Sequence, residues 1–308
     1  MSIEFAIIVK NKTRLETLIE RFNTKAQAKF YIEHAGGNFE EYEIENETFH
    51  LSLSIIQRKL SKVLKNKIIE RNFLPSFLFN QNQVVIVIGQ DGLVANTAKY
   101  ASEIPIIAVN PDTERYDGIL LPFIPDNFIE GVENVLANKY NSKIAMLAEA
   151  RLNDGQRLLA FNDFFVGASS HISARYKISH NDKTENQSSS GIIISTKSGS
   201  TGWLSSIYNM SVGLNDFIEH SNKKKHKIIE LKDDELMFAV REPFLSKKSK
   251  IGVVAGIISS TNQLTIESFM PTNGVLFSDG IESDYLHFNA GSIVNIGIAK
   301  EKANLVWK

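Results

Sequence analysis

The nine residues Val84–Gly92, VVIVIGQDG, decide how this chain folds. Five consecutive Val and Ile residues predict a strand that is buried on both faces inside a parallel sheet. Residues 93–103 then show a helical pattern, so the glycines lie in a strand-to-helix turn. Gly89 and Gly92 permit positive φ angles and the close approach of backbone to a ligand. The free N–H groups at the start of the following helix suit a phosphate.

Asp91 is the unusual residue of this turn. A carboxylate beside a phosphate is repulsive unless a cation lies between them, or unless the carboxylate is there to accept a proton. The plain alternative is that Asp91 only caps the helix, because Asp is a favoured N-cap residue. Taken alone, the turn favours capping.

Length and composition set outer limits. At 308 residues two domains are expected, and 43% apolar residues suffice for full cores. The net charge of −1 predicts no general attraction to nucleic acid or membrane. The lack of cysteine excludes disulfides, thiolate catalysis and Cys-ligated zinc. No signal pattern and no membrane-length apolar run is evident, so we expect a soluble, cytoplasmic protein.

The pattern of elements divides the chain near residue 142. Residues 1–141 alternate strands with helices, which predicts a doubly wound, Rossmann-like parallel-sheet domain that binds phosphate at the GQDG turn. Within it, residues 40–47 are expected to be irregular and 51–72 to carry a helix. Residues 142–308 open with a helical stretch to about Arg151. Short strands then predict an antiparallel sandwich-like domain, whose last segment is expected to pack back on the first domain.

The predicted strands of this second half are separated by turn residues, and the polar segment 181–190 is interpreted as a hairpin tip. These strands are 157–166, 173–178, 191–196, 227–231, 236–241, 250–259, 263–269, 274–277 and 292–299.

A polar loop follows the next apolar strand of the first half, 104–110. It reads Asn110-Pro-Asp-Thr-Glu-Arg-Tyr-Asp-Gly118. Ligands of doubly wound sheets bind beyond the carboxyl ends of the strands. We therefore expect this loop and the Gly89–Gly92 turn to contribute to one site.

The β-rich half contains a turn of small hydroxylated residues within 189–203, SSGIIISTKSGSTGW. A buried strand, 192–194, leads into it. Its Ser and Thr side chains offer hydrogen-bond donors and acceptors, and Gly199 and Gly202 permit close approach. Such a loop suits a sugar-phosphate ligand. An ordinary Ser/Gly-rich turn is the alternative, and the loop alone favours it.

Together and in this order, the two motifs resemble those of the NAD kinase family. Members carry a GGDGT turn in an α/β domain and a DG…STPTGSTAY loop in a β domain. Here these read GQDGL at Gly89–Leu93 and SGIIISTKSGSTGW at 190–203. The Asn-Glu pair of the family appears as Asn162-Asp163.

The resemblance is strongest to the mitochondrial-type branch of that family. It extends over nearly the whole chain through Asn110–Gly118, Ser189-Ser-Gly191, Phe238-Ala-Val-Arg-Glu-Pro243, Lys12-Thr-Arg-Leu-Glu16, Asp279-Gly280 and Phe288-Asn-Ala-Gly291.

The resemblance implies ATP-dependent phosphorylation of the adenosine-ribose 2′-hydroxyl of NAD, which gives NADP. Asp91 would accept the proton of that hydroxyl or orient it. The GQDG backbone and the helix after it would cradle the phosphates of ATP, bridged by Mg²⁺ with few protein ligands. Asp91 would face the hydroxyl-lined loop across a cleft.

The resemblance also assigns ligand-binding residues. Asn162 and Asp163 would bind ribose and base edges of NAD, and the loop ending at Trp203 would line the adenine and ribose pocket. Trp203 could stack on a ligand ring or be a core aromatic. Arg115 and Arg241 are candidates to bind phosphate. The alternative for Arg115 is a surface ion pair, and the alternative for Arg241 is a structural role. The implied set is Gly89, Gln90, Gly92, Asn110, Arg115, Asn162, Asp163, Ser190, Thr196, Ser200, Thr201, Gly202, Trp203 and Arg241.

Departures from the family pattern leave alternatives open. Gln90 replaces a glycine, Leu93 replaces a threonine that could touch phosphate, and Lys197 replaces a proline and offers one more phosphate contact. The alternatives are a catalytically weak or inactive homologue that binds NAD or another nucleotide, and a related GGDG-superfamily kinase that acts on a sugar or lipid. Dimers or larger homo-oligomers are expected from the family.

No metal site is predicted, because the seven histidines lack the close pairing of a helical metal site. The basic run at 223–227 predicts a solvated loop, with a phosphate-steering patch as the alternative.

Overall fold

A computed structural model describes residues 3–219 and 229–308. The basic run at 223–227, His220, His226 and the start of the predicted strand 227–231 lie outside these residues. The chain forms two compact units: Met1–Ile144 with Asn304–Lys308, and Ala145–Ala303.

The first unit is built on a parallel sheet. Its strands are β1 (Phe5–Lys10), β2 (Lys65–Glu70), β3 (Gln83–Ile88) and β4 (Pro105–Val109). The order is β2-β1-β3-β4, and the last strand of the chain adds Asn304 and Leu305 in parallel beside β4. All six residues of β3 are buried. The apolar run of Val and Ile therefore forms an interior strand, as the sequence predicts.

Helices flank this sheet. They are α1 (Arg14–Phe22), α2 (Lys25–His34), α3 (Glu40–Leu60), α4 (Asp91–Ala101) and α5 (Phe128–Leu136), with a 3₁₀ turn at Arg71–Ser76. Apolar side chains of α3 and α5 pack in one core with β1, β3 and β4, and α4 contacts β3 and β4. The predicted Rossmann-like α/β architecture is confirmed. Among the described residues, no helix is both long and apolar enough to span a membrane.

Two local predictions in this unit are wrong. Residues 40–47 are not irregular but open α3, where three glutamates of the first turn lie near the positive end of the helix dipole. The predicted helix over 51–72 ends at Leu60. Residues 65–70 instead pair as the edge strand β2 with β1, because sheet pairing outweighs their local preference.

The second unit is an antiparallel sandwich with one helix among its described residues. Its elements, beginning with a strand that starts just before the unit, are β5 (Asn141–Leu152), β6 (Arg157–Ala160), β7 (Asp163–Ala168), β8 (Ala174–His180), β9 (Lys183–Ser189), β10 (Ile192–Ser195), α6 (Trp203–Glu219), β11 (Leu236–Val240), β12 (Ala255–Ile258), β13 (Leu264–Ser268), β14 (Gly274–Ser278), β15 (Ile281–His287) and β16 (Ile293–Trp307). One sheet has the order β16-β13-β8-β9 and the other β12-β11-β10-β7-β14-β15. Side chains of both sheets meet in one core around Phe164, Tyr176 and Phe238. The predicted sandwich is confirmed.

The second unit also differs from the sequence interpretation in detail. The helix predicted up to Arg151 is the strand β5, although its Ala, Leu and Glu residues favour helix. The polar segment 181–190 is mostly the strand β9, and only the tip around Asn181 forms a turn. The sequence interpretation missed α6 and β15.

Candidate functional site

The turn after β3 leads directly into α4. Of its two glycines, only Gly89 has a positive φ angle, 156°. A Cβ on Gly89 would lie 3.0 Å from the Leu93 side chain, which is itself 5% exposed. Gly92 does not use the positive φ that glycine permits, and a Cβ there would meet nothing within 4 Å, so the space beside it is open. Gln90 is exposed.

Asp91 does not cap the helix. The N-cap residue is Gln90, whose side chain makes no capping hydrogen bond, and Asp91 is the first residue of α4. Its half-buried carboxylate instead accepts hydrogen bonds from the backbone N–H groups of Ile119, at 3.2 Å, and Leu120, at 2.8 Å. These two bonds fix the orientation of the carboxylate.

The polar loop after β4 builds the segment that holds Asp91. Asn110, which is buried, donates from its side-chain amide to the Tyr116 carbonyl at 2.9 Å and accepts from the Asp112 N–H at 3.0 Å. Gly118 has φ +66°, and a Cβ there would lie 2.7 Å from Asn110 Nδ2. Asn110 thus shapes the loop, and the two amides that bind Asp91 follow Gly118 directly.

Arg115 lies in the same loop but faces carboxylates. Its guanidinium is 3.7 Å from Glu45 and 3.5 Å from Asp112, with 29% of the side chain exposed. This is the surface pairing weighed as the alternative from the sequence. A phosphate contact by Arg115 stays a prediction.

In the second unit, Asn162 and Asp163 stand at the start of β7, where three segments meet. The Asn162 carbonyl accepts from the Thr196 N–H at 2.8 Å, and the Thr196 hydroxyl donates to the Phe161 carbonyl at 2.6 Å. A Cβ on Gly199 would lie 2.2 Å from the Asn162 carbonyl oxygen. Gly199 therefore serves the packing of backbone on backbone, not the approach of a ligand as expected.

The third segment is the turn between β14 and β15. The Asp279 carboxylate accepts from the backbone N–H groups of Phe161 at 3.1 Å, Asn162 at 2.6 Å and Asp163 at 3.3 Å. In return, the Asp279 N–H donates to the Asp163 carbonyl at 2.9 Å. Asp279 thereby makes four hydrogen bonds to the backbone of residues 161–163.

The side chains of Asn162 and Asp163 take no part in these backbone contacts. Asp163 is 8% exposed, and within residues 3–219 and 229–308 its carboxyl group has no hydrogen-bond or ion-pair partner. Burial, together with the charge of Asp279, raises the pKa of Asp163 from its ordinary value near 4 to about 7. The half-buried Asn162 side chain likewise makes no hydrogen bond within those ranges.

A further group lies around Trp203, the first residue of α6. Its ring stacks on Phe165, with centroids 5.8 Å apart and planes within 8°, and the Arg241 guanidinium lies 5.5 Å from the Trp203 ring. Ser190 joins this group because its N–H donates to the Arg241 carbonyl at 2.9 Å. A cavity of about 430 Å³ is lined by Phe165, Ser169, His171, Trp203, Arg241, Phe277, Glu282 and Tyr285, among others. Trp203 is thus both a packed aromatic and a wall of a cavity.

The remaining loop residues have simpler surroundings. The Ser200 hydroxyl donates to the Lys197 carbonyl at 2.7 Å, and Lys197 pairs with Asp233 at 2.7 Å. Thr201 and Gly202 are exposed. Ser190 and Thr196 lie beyond opposite ends of β10, a strand about 13 Å long. Residues 190–203 therefore do not bring all the predicted site residues to one point.

Three contributors to these sites were not predicted from the sequence. Ile119 and Leu120 act through backbone N–H groups, for which side-chain identity gives no signal. Asp279-Gly280 is recognisable as a hairpin turn, yet nothing in that signal indicates contact with residues 161–163. Among the described residues, no cluster of three His, Cys, Asp or Glu side chains is placed to hold a metal ion.

Comparison of sequences finds two curated relatives, both NAD kinases. The protein from Chlorobium phaeobacteroides is 30% identical over 141 residues, which cover 44% of this chain and 47% of the relative. That from Finegoldia magna is 31% identical over 160 residues, covering 49% and 56%. The chain thus spans about half the length of the curated relatives it matches. No family model matches the chain.

Solved structures share the fold over nearly the whole chain. Yeast NADH kinase complexed with NADH has a TM-score of 0.62 at 13% identity, with 100% of this chain and 84% of that one covered. An NAD kinase from Archaeoglobus fulgidus in complex with ATP has a TM-score of 0.52 at 12% identity, covering 98% and 92%. In sequence over about half of its length, and in fold over nearly all of it, the chain is thus similar to NAD kinases, the family that its motifs resemble. The mitochondrial-type branch stays a prediction.

Proposed function

Since sequence and fold support the NAD kinase family, we propose that this chain transfers the γ-phosphoryl group of ATP to the adenosine-ribose 2′-hydroxyl of NAD, giving NADP and ADP. The observation that carries the proposal is the Asp91 carboxylate, which two backbone N–H groups hold at the start of α4. It is fixed before any substrate arrives, as catalysis by positioning requires.

In this reaction Asp91 is the general base. The new bond joins the 2′-oxygen to the γ-phosphorus, the bond from that phosphorus to the β,γ-bridging oxygen breaks, and the hydroxyl proton passes to the carboxylate. Each Asp91 oxygen accepts one N–H bond, which leaves lone pairs for the ribose hydroxyl. The exposed backbone around Gly92 and the first amides of α4 suit the ATP phosphates.

Mg²⁺ would bind to the phosphates of ATP. It prefers phosphate oxygens and water with one or two carboxylates, and it neutralises charge on the transferred group. We assign no set of protein ligands to Mg²⁺. The Gly89, Gln90 and Gly92 backbone is the candidate contact for the phosphates that carry the metal.

The second unit supplies the residues assigned to NAD. The side chains of Asn162 and Asp163, which have no hydrogen-bond partner within the described part of the chain, suit ribose hydroxyls and a base edge. The cavity beside Trp203 and Arg241 has aromatic walls and a cation, which suit a ring and a phosphate. Exposed Ser190 and Thr201 and half-buried Ser200 are further candidates, whereas buried Asn110 and Thr196 would act by shaping their loops.

The test is direct. Purified chain is incubated with ATP, Mg²⁺ and either NAD or NADH, and the product is measured with an NADP-specific dehydrogenase. Formation of NADP or NADPH supports the proposal. NAD binding in a thermal-shift assay without turnover contradicts it and favours a binding protein, and stabilisation only by a sugar or a lipid favours another kinase.

Assembly and location complete the proposal. A cytoplasmic homodimer or larger homo-oligomer is the state we propose, supported by the family resemblance alone. Light scattering of the purified chain and fractionation of cells that express it test these two points.

A further inference from the structure

The turn between β14 and β15 explains only part of what Asp279 does. Asp279 and Gly280 have φ angles of +54° and +69°, and Ser278 pairs with Ile281 across them. Positive φ at both central residues is the signature of a two-residue type I′ hairpin turn, for which Asp-Gly and Asn-Gly are favoured. The turn therefore requires a residue of this type but does not require a negative charge.

The Asp279 carboxylate also accepts hydrogen bonds that the hairpin turn does not require. It reaches residues 116 to 118 positions away in the chain and accepts three consecutive backbone N–H groups, those of Phe161, Asn162 and Asp163. Three N–H groups aimed at one carboxylate form charge-assisted hydrogen bonds, which are the strong ones. Asp279 thus binds the backbone of the segment that carries the Asn162 and Asp163 side chains, neither of which has a hydrogen-bond partner in residues 3–219 and 229–308.

We propose that Asp279 is a positioning residue for the NAD site: it holds the backbone of the Asn162–Asp163 turn so that these two side chains, which have no hydrogen-bond partner among the described residues, face the ligand. The kinetic part of this inference rests on the proposed function.

Among the described residues, Asp279 is the charged group that raises the pKa of Asp163. The paired residue on β10 is the uncharged Ser195, and β14 and β15 contribute the Asp279 turn. In the turn after β10, Lys197 pairs with Asp233, and at the other end of the sheet Arg241 faces Trp203 and Glu242. Burial and the charge of Asp279 together account for a pKa of about 7 at Asp163.

This arrangement makes ligand binding sensitive to pH near neutrality. An ionised Asp163 accepts a hydrogen bond from a ribose hydroxyl, whereas the protonated form has a donor in its place. We expect the KM for NAD to rise as the pH falls below about 7, and we expect bound NAD to lower the pKa of Asp163.

Asp279→Asn is the informative variant. Asn-Gly keeps the favoured turn and removes the charge, but its side-chain NH₂ then opposes one of the three N–H groups. We expect the KM for NAD to rise about tenfold with kcat within about threefold. We also expect the titration midpoint of Asp163, followed by carboxyl ¹³C NMR, to fall by about one unit yet stay above the ordinary range, since burial remains.

A second variant and a control keep the test decisive. Asp279→Gly also fits the turn and removes the whole carboxyl group, so it replaces Asp279→Asn if that variant misfolds. Asp182→Asn, in the exposed tip between β8 and β9, should change neither readout. An unchanged KM together with an unchanged Asp163 midpoint in the Asp279 variants would overturn the inference. If the wild type makes no NADP, the proposed function fails, and the NMR midpoint alone still decides whether Asp279 controls Asp163.

Discussion

Two carboxyl groups, one in each unit, show opposite ways of preparing a side chain. Asp91 is half-buried and its carboxylate already accepts two backbone N–H bonds. Asp163 is almost fully buried, and its carboxyl group has no partner within the described residues. The backbone around Asp163 is well held, but its side chain is not.

The difference indicates two roles. A carboxylate oriented by fixed donors is prepared for chemistry, because its position does not depend on the ligand. A buried carboxyl group without hydrogen bonds lowers the stability of the folded chain until a ligand supplies them. The following predictions test this contrast from the largest effect to the smallest.

Asp91→Asn should abolish most of the activity. The amide cannot accept the hydroxyl proton, and its NH₂ group would oppose one of the two backbone N–H donors. We expect kcat to fall about 10³-fold while NAD binding changes little, as general bases contribute about 10² to 10⁴. Asp126→Asn, on an exposed carboxylate paired with Lys59, is the matched control. Turnover that survives Asp91→Asn would remove the base assignment.

Asp163→Asn should stabilise the protein at alkaline pH while weakening NAD binding. A carboxyl group whose pKa is raised from about 4 to about 7 contributes its full stability below pH 4 and loses it as the pH rises through 7. The asparagine never carries the buried charge. We expect a gain in the free energy of unfolding of up to about 4 kcal/mol at pH 8 relative to pH 4. Urea unfolding at both pH values measures it, and an equal effect at both would contradict the raised pKa.

Gly118→Ala should weaken catalysis through the loop that holds Asp91. The new methyl group would lie 2.7 Å from Asn110 Nδ2 at a backbone φ of +66°. We expect kcat to fall about 10- to 100-fold, as a misplacement of about 1 Å can cause. Gly36→Ala is the matched control. Gly36 has a similar φ of +78° but open space around it, so this variant adds backbone strain without a steric contact. Equal kinetic losses in both variants would show that the loop does not act on Asp91.

The same contrast between Asp91 and Asp163 shows how much of the site could be predicted from the sequence. The Asp91 turn could be predicted because an apolar run, two glycines and a helix are adjacent in the chain, and local patterns report local structure. The Asp163 site depends on pairings such as that with Asp279, more than a hundred residues away. Likewise β5 carries helix-forming residues but is a strand, since its environment outweighs propensity. Backbone donors such as Ile119 leave no trace in side-chain identity.

Leu93 gives the smallest effect and a test of how the departures from the family motif act. Its side chain is 5% exposed and lies 3.0 Å from the position of a Cβ on Gly89, so it packs within the turn and not in the open space beside Gly92. Leu93→Thr should therefore lower the free energy of unfolding by about 2 kcal/mol through lost packing, without raising kcat. Thermal unfolding and steady-state kinetics with ATP measure the two effects. A clear rise in kcat would mean that a hydroxyl at this position reaches the phosphates after all, and that Leu93 limits the use of ATP.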